Sequence, residues 1–206
     1  MNFVFDFGGV VFNWQPLQLL RTALPQRAPD EAAARAVAAD VFQGYAAQGN
    51  WAAFDRGDVD AAGLAQRIAR RTSFGEAEVH TLLRAIPRHL EPIAETVALL
   101  RRLKAAGHRL YYLSNMPAPF ADHLERSHAF MAWFDDGVFS SRVRLMKPQP
   151  EIFHEAARRF GRLPHELVFI DDMAHNVDAA RALGWQALHY RSAAACEASL
   201  PPGTLR

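Results

Sequence analysis

Short segments that are apolar on both faces constrain the fold of this chain more than any other feature. The first covers residues 3–5 and ends at Asp6. Similar segments recur at 110–113, 167–170 and 187–190, with a weaker candidate at 138–139. Strands that are apolar on both faces are typical of parallel sheets, because helices cover both sides of such a sheet.

Helical periodicity separates these segments. Between residues 93 and 103, apolar side chains recur every three or four positions, and Gly107 follows as a stop. The same periodicity precedes Gly161 and Gly184. Alternating strands and helices predict an α/β fold with a three-layer, Rossmann-like core around a parallel sheet.

The region 15–90 interrupts this alternation and contains helical patterns only. These patterns lie at about 16–24, 30–43, 46–55, 60–72 and 75–85. We therefore predict a small helical bundle at 15–90 that is inserted as a cap after the first strand. The catalytic core would then consist of residues 1–14 and 91–206.

Composition restricts the partners and the location. The formal net charge is +1, which provides no broad field for nucleic acid or for an anionic membrane. The single cysteine, Cys196, allows no intramolecular disulfide, and no apolar stretch is long enough for a membrane span. Asp6 also interrupts the first apolar segment too early for a signal peptide. We expect a cytoplasmic protein that binds neither nucleic acid nor membrane.

Polar residues follow the predicted strands where ligands bind in a parallel α/β sheet, at the carboxyl ends. Lys147 precedes a helix that would pack between two of the strands. The polar residues that the fold would bring together are Asp6, Ser114, Asn115, Lys147, Asp171 and Asp172.

These residue types suit phosphoryl transfer. Carboxylates together with a backbone carbonyl are ligands for a hard cation such as Mg²⁺. A lysine and a hydroxyl can hold a phosphoryl group, and a central carboxylate can attack phosphorus to form a covalent intermediate. The absence of a paired histidine base argues against acyl transfer.

The ordered motifs resemble those of the haloacid dehalogenase-like hydrolase superfamily, most of whose members are phosphatases. The family's first motif is Asp-x-Asp-Gly-Thr/Val, and residues 6–10 here read Asp-Phe-Gly-Gly-Val. The serine, lysine and acidic-pair motifs match Ser114, Lys147 and the pair Asp171-Asp172 in the same order. Each motif alone is weak, but the ordered set is specific. The predicted cap resembles that of one phosphatase branch, which includes glucose-1-phosphate phosphatase-like members.

The resemblance implies a metal site and a nucleophile. Asp6 would be both the nucleophile and a Mg²⁺ ligand, and the backbone carbonyl of Gly8 would be a second ligand. Asp172 would bind the metal directly, with Asp171 beside it or acting through water. Asn176 would orient metal-bound water.

The resemblance also implies a site for the transferring phosphoryl group of a small phosphorylated metabolite. Ser114, the backbone amide of Asn115, and Lys147 would bind this group. The expected reaction is Mg²⁺-dependent hydrolysis of a small phosphomonoester, with a sugar phosphate as one candidate, through an aspartyl-phosphate intermediate.

Gly8 departs from the family pattern, because it replaces the aspartate that usually serves as general acid/base. Such groups typically contribute about 10²–10⁴-fold to the rate. Two linked hypotheses follow: the substrate has a better leaving group than a simple alcohol, and the phosphoenzyme is long-lived. Two other functions stay open, namely a metal-independent 2-haloacid dehalogenase and a non-catalytic metabolite-binding protein on the same scaffold.

Overall fold

A five-stranded, fully parallel sheet forms the centre of the computed structural model, which describes residues 1–205. The strand order is β3-β2-β1-β4-β5. The strands are β1 (Asn2–Phe5), β2 (Arg109–Ser114), β3 (Asp136–Phe139), β4 (Leu167–Asp171) and β5 (Gln186–His189). All five predicted strands are present, and β5 is shifted by one residue from the predicted 187–190.

Side chains of the central strands alternate between two apolar layers. In β1, Phe3 and Phe5 pack into one layer, whereas Val4 packs into the other. The first layer includes Leu99 and Leu103 of the helix that precedes β2, and the second includes Phe153 of the helix that precedes β4. The α/β prediction with three layers is therefore confirmed.

Between residues 94 and 198, six helices flank the sheet. They are α6 (Ala94–Ala105), α7 (Ala118–Ser127), α8 (Ser140–Val143), α9 (Pro150–Phe160), α10 (Ala174–Ala182) and α11 (Ala193–Ala198). Helix α9 begins at the predicted proline and ends before Gly161, which adopts φ of 61°. The helices described between residues 1 and 205 include none with the length and apolar character that a bilayer crossing requires.

Five helices lie between β1 and α6. They are α1 (Pro16–Ala23), α2 (Glu31–Phe42), α3 (Asn50–Asp55), α4 (Ala61–Arg71) and α5 (Glu76–His89). Helix α3 begins later than the predicted residue 46, because Gln43, Gly44 and Tyr45 all adopt left-handed conformations that end α2. Helix α5 continues past the predicted residue 85 to His89, and it contains Pro87 in its last turn. We refer to α1–α5 as the proposed cap, and its boundaries at 15 and 90 stay a prediction.

The strand register brings the carboxyl ends of the central strands to the same edge of the sheet. Phe5 of β1 pairs with Tyr112 of β2 and with Ile170 of β4. The backbone amide of Asp6 then donates to the carbonyl of Ile170 at 2.9 Å. As a result, Asp6 and the residues that follow Ile170 come together at the carboxyl edge of the sheet.

Candidate active site

Lys147 lies at the centre of the polar cluster at this edge. Its side chain is almost completely buried, and Nζ lies 2.9 Å from Oδ1 of Asp6 and 2.6 Å from Oδ2 of Asp171. The Asn115 side chain accepts from the Lys147 backbone amide at 2.9 Å and donates to the Lys147 carbonyl at 3.0 Å. This reciprocal pair fixes the segment that carries Lys147 to the end of β2.

The Asp171 carboxylate is fully occupied by neighbouring donors. Besides Lys147, it accepts from the backbone amide of Met173 at 2.8 Å and from the Asn176 side chain at 3.0 and 3.1 Å. Asp171 is completely inaccessible to solvent. A carboxylate held in this way is suited to orienting its neighbours, since buried polar groups with all partners in place are rigid.

Asp172 has a different environment. Its carboxylate packs against Gly9, where an added Cβ would lie only 2.6 Å from Asp172 Oδ2. Gly9 also adopts φ of 76°, which favours glycine, and a side chain there would displace the Asp172 carboxylate. His189 contacts the backbone carbonyl of Asp172 at 2.8 Å and leaves the carboxylate accessible to other groups.

Three carboxylates therefore converge, and they suit a hard cation. One oxygen each from Asp6, Asp171 and Asp172 lies within 4.8 Å of the others. Oδ1 of Asn176 is buried and has no hydrogen-bond partner among residues 1–205. Oxygen donors at this spacing are the ligand set that Mg²⁺ prefers, so the residues present fit the expected metal. Gly8, whose carbonyl was expected as a ligand, lines the adjoining cavity.

The electrostatics of the cluster reflect crowded like charges. Burial raises the pKa of Asp6, and Asp171 and Asp172 raise it further, while Lys147 opposes the shift. Burial also raises the pKa of Asp172, with a further contribution from Asp171. Burial alone would lower the pKa of Lys147, but Asp171 and Asp6 outweigh it and the net shift is upward. A divalent cation at this position would offset the repulsion among the carboxylates.

A cavity of about 340 Å³ opens directly above the cluster. Asp6, Ser114, Asn115 and Lys147 form part of its floor, with Ser114 almost completely buried at the end of β2. The remaining wall is mostly apolar, and it includes Trp14, Tyr45, Trp51, Ile86, Leu90, Met116, Phe120, Met146 and Met173. The cavity thus combines a polar floor, on which an anionic group can be held, with a hydrophobic wall.

The Gly8 position has room for a side chain. An added Cβ would make only ordinary contacts, at 3.7 Å and beyond, with Trp14. Its φ also lies outside the left-handed region that favours glycine. Neither packing nor backbone geometry therefore requires glycine at residue 8.

Asp55 is a site residue that the sequence reasoning missed. It is the last residue of α3, it is only 6% exposed, and it lines the same cavity as Asp6. Burial raises the pKa of this carboxyl to about 8. The sequence did contain a signal, since a carboxylate in the last turn of a helix opposes the helix dipole and calls for an explanation. Sequence reasoning interpreted this segment only as a helix end.

Comparison with known proteins agrees with the fold. A family model described as haloacid dehalogenase-like hydrolase matches residues 1–184. A sesquiterpene phosphatase from Aspergillus oryzae is 28% identical over 187 residues, which cover 90% of this chain and 87% of that protein. An (S)-2-haloacid dehalogenase from Pseudomonas putida is 30% identical over 109 residues, which span 52% of this chain and 48% of that enzyme.

Solved structures show the same architecture. An enzyme of this family from Bacteroides thetaiotaomicron, in complex with magnesium and inorganic phosphate, superposes with a TM-score of 0.72. The superposition covers 99% of this chain and 98% of that chain at 19% sequence identity. At this level of identity, the likeness concerns the fold.

Proposed function

Because this chain belongs to the haloacid dehalogenase-like hydrolases, we propose that it is a Mg²⁺-dependent phosphatase that uses Asp6 as its nucleophile. The observation that carries the proposal is the position of Asp6. Its carboxylate lies on the floor of the cavity, next to Lys147 and within a cluster of three carboxylates. The sesquiterpene phosphatase relative supports the same reaction class.

In the first step, a carboxylate oxygen of Asp6 attacks phosphorus while the bond to the ester oxygen breaks, and the organic group takes up a proton and leaves as the alcohol. The phosphoryl oxygens are held by Ser114, the backbone amide of Asn115, and Lys147. Lys147 also offsets the negative charge that develops on these oxygens. Water then attacks the aspartyl phosphate and releases inorganic phosphate, which restores the free carboxylate.

Mg²⁺, held by Asp6, Asp172 and the carbonyl of Gly8, would supply positive charge to the phosphoryl oxygens. Asp171 would serve this site as a positioning residue, since Lys147 and Asn176 already occupy its carboxylate. Asn176 would orient a water at the same site.

The cavity wall favours a substrate whose organic part is apolar. Aromatic and aliphatic side chains such as Trp14, Trp51 and Phe120 dominate the wall, and few polar groups are available for sugar hydroxyls. Buried polar groups without partners are costly, so a sugar in this cavity would lose hydrogen bonds to water. We therefore rank the phosphate ester of a hydrophobic alcohol ahead of the sugar phosphate that the sequence suggested.

Hydrolysis of p-nitrophenyl phosphate tests the activity, measured with Mg²⁺ and with a chelator. We expect Mg²⁺-dependent turnover that falls on the order of 10⁴-fold or more in Asp6→Asn, since the nucleophile is removed. Asp178→Asn is the matched control, because Asp178 is an exposed residue of α10. The proposal would be contradicted by turnover that is unchanged in Asp6→Asn or that is the same with and without the chelator.

A substrate panel tests the organic part. Benzyl and prenyl phosphates should have a higher kcat/KM than glucose 1-phosphate, because the apolar wall would bury their organic groups. The reverse order would restore the sugar phosphate as the favoured substrate.

The two alternatives predict other results. The dehalogenase alternative rests on the Pseudomonas relative, and it predicts chloride release from a 2-haloacid without added metal. The three converging carboxylates favour the metal-dependent reaction instead. A non-catalytic protein on the same scaffold would bind phosphorylated ligands without turning them over.

A further inference from the structure

We propose that Asp55 of the proposed cap is the general acid/base of this active site and performs the role for which Gly8 has no side chain. This inference rests on the proposed phosphatase function. It assigns a catalytic residue outside the four sequence motifs, on an element that the motifs do not include.

The placement of the Asp55 carboxyl supports this role. Asp55 is buried, and it lines the cavity that also contains Asp6 and Lys147. No hydrogen bond or ion pair to its side chain is found within residues 1–205, although its backbone carbonyl is bonded. Buried carboxyl groups with a purely structural role are normally hydrogen-bonded. An unpartnered one in a ligand cavity is available to bond to the ligand.

Contacts with the core hold Asp55 in place. The Ser140 hydroxyl donates to the Asp55 carbonyl at 2.5 Å and accepts from the Met116 amide at 2.8 Å. Two residues further on, Gly57 adopts φ of 73°, and an added Cβ there would lie 2.7 Å from the Ser141 carbonyl. The end of α3 is therefore docked on the start of α8, so Asp55 has a fixed position relative to the sheet edge.

Arg56 is the next residue, but within residues 1–205 its side chain makes no hydrogen bond or ion pair with that of Asp55. Its guanidinium donates to the Ala47 carbonyl and to Asp58, both at 2.8 Å. Burial raises the pKa of Asp55, with Arg56 and Lys147 opposing the shift and Asp6 adding to it. Tyr45 is a further titratable neighbour, since the charge of Asp55 contributes to the raised pKa of the Tyr45 hydroxyl. The raised pKa favours the protonated form of the Asp55 carboxyl, which is the form that a general acid requires.

The chemistry balances over one cycle. As Asp6 attacks phosphorus, Asp55 transfers its proton to the ester oxygen, and the alcohol leaves uncharged. The Asp55 carboxylate then removes a proton from the water that attacks the aspartyl phosphate. The bond between phosphorus and Asp6 breaks, phosphate leaves, and both residues return to their starting states.

Asp55→Asn tests the role through the dependence on the leaving group. The amide is nearly isosteric but transfers no proton. With benzyl phosphate, a poor leaving group, we expect kcat to fall about 10²–10⁴-fold. With p-nitrophenyl phosphate, a burst of one p-nitrophenol per enzyme should persist while steady-state turnover slows and acid-quenched phosphoenzyme accumulates. Asp40→Asn, at an exposed position on α2, is the matched control and should behave as wild type.

Gly8→Asp in the Asp55→Asn background provides a second test. The space at residue 8 allows the side chain, and an aspartate there should restore benzyl phosphate hydrolysis at least tenfold. A structural defect at residue 55 would not be repaired by a carboxylate placed elsewhere.

The outcomes separate the two proposals. Equal losses on both esters, with no phosphoenzyme and no rescue, would overturn the role of Asp55 while leaving an active wild-type phosphatase. A wild type that hydrolyses neither ester would overturn the phosphatase function, and the role of Asp55 with it.

Discussion

The two sides of the cavity are built in opposite ways. On the core side, charged groups are buried in contact with one another, and Lys147 bridges Asp6 and Asp171. On the side of the proposed cap, the wall is mostly apolar, and within residues 1–205 it contains a single buried carboxyl, that of Asp55, for which these residues provide no hydrogen-bond partner. Under the proposed function, the core would fix the reacting groups, whereas the proposed cap would contribute to the contacts with the organic part of the substrate and would add one proton-transfer group.

The difference also concerns energetics. Charges at the core edge are stable only as a set, because removal of one member leaves the others buried and uncompensated. Residues on the wall contribute mainly through buried apolar area, and such contributions are nearly independent of one another when the residues are far apart. Substitutions on the two sides should therefore have effects of different size and kind.

The largest expected effect on stability is that of Lys147→Met. The substitution leaves the carboxylates of Asp6 and Asp171 buried without their cation, and breaking a buried pair in this way costs about 3–5 kcal/mol. Urea denaturation with a chelator present measures this loss in the free energy of unfolding.

Lys104→Met is its matched control. Lys104 also contacts a carboxylate, that of Asp135, at 2.8 Å, but its side chain is 36% exposed. Asp135 keeps the Arg109 side chain and the Leu110 amide as donors. We expect about 0–1 kcal/mol here. Similar losses for the two lysines would mean that the core-side cluster is not a mutually dependent set.

Ser140→Ala should have an intermediate effect, because it removes the bridge between the two sides. The hydroxyl satisfies both the Asp55 carbonyl and the Met116 amide, and leaving buried groups unsatisfied costs about 1–3 kcal/mol. Hydrogen exchange should also show faster opening at the end of α3.

The neighbouring serine is a control with the same chemistry. The hydroxyl of Ser141 is buried and has no hydrogen-bond partner within residues 1–205, so Ser141→Ala should be close to neutral or slightly stabilising. Equal effects at the two positions would contradict the bridging role of Ser140.

The sequence predicted the core side well, because local signals there agree with the fold. Strands that are apolar on both faces place Asp6, Ser114 and Asp171 at one edge, and helical periodicity places the layers around the sheet. The partners within the cluster could not be predicted, since the bond between Lys147 and Asp171 and the pairing with Asn115 depend on side-chain conformations in three dimensions.

The proposed cap was harder to predict for a physical reason. Its helices were found from periodicity, but which of their faces meet the cavity depends on packing between elements distant in the chain. The left-handed run that ends α2 also lacks a proline and has a single glycine, Gly44, so it had no clear local signal. Asp55 is the clearest case, because only the docking of α3 on Ser140 places it in the cavity.

A further prediction, which depends on pH rather than on a lost contact, tests the single carboxyl on the wall through the pH dependence of stability. Burial raises the pKa of Asp55 from its ordinary value of 3.8 to about 8, so the unfolded chain releases this proton before the folded protein does. Its contribution to stability is therefore fully present below pH 3.8 and is lost as the pH rises towards 8. The slope is at most about 1.4 kcal/mol per pH unit.

Asp55→Asn should remove this slope from the free energy of unfolding, while Asp40→Asn should keep it. Other groups near Asp55 also affect the pH dependence: Asp6 has a raised pKa, and Arg56, Lys147 and Tyr45 lie nearby. The informative quantity is therefore the difference in the free energy of unfolding between wild type and Asp55→Asn. A difference that does not change between pH 4 and 8 would mean that the Asp55 carboxyl is solvated, and that the two sides of the cavity are less distinct than their burial indicates.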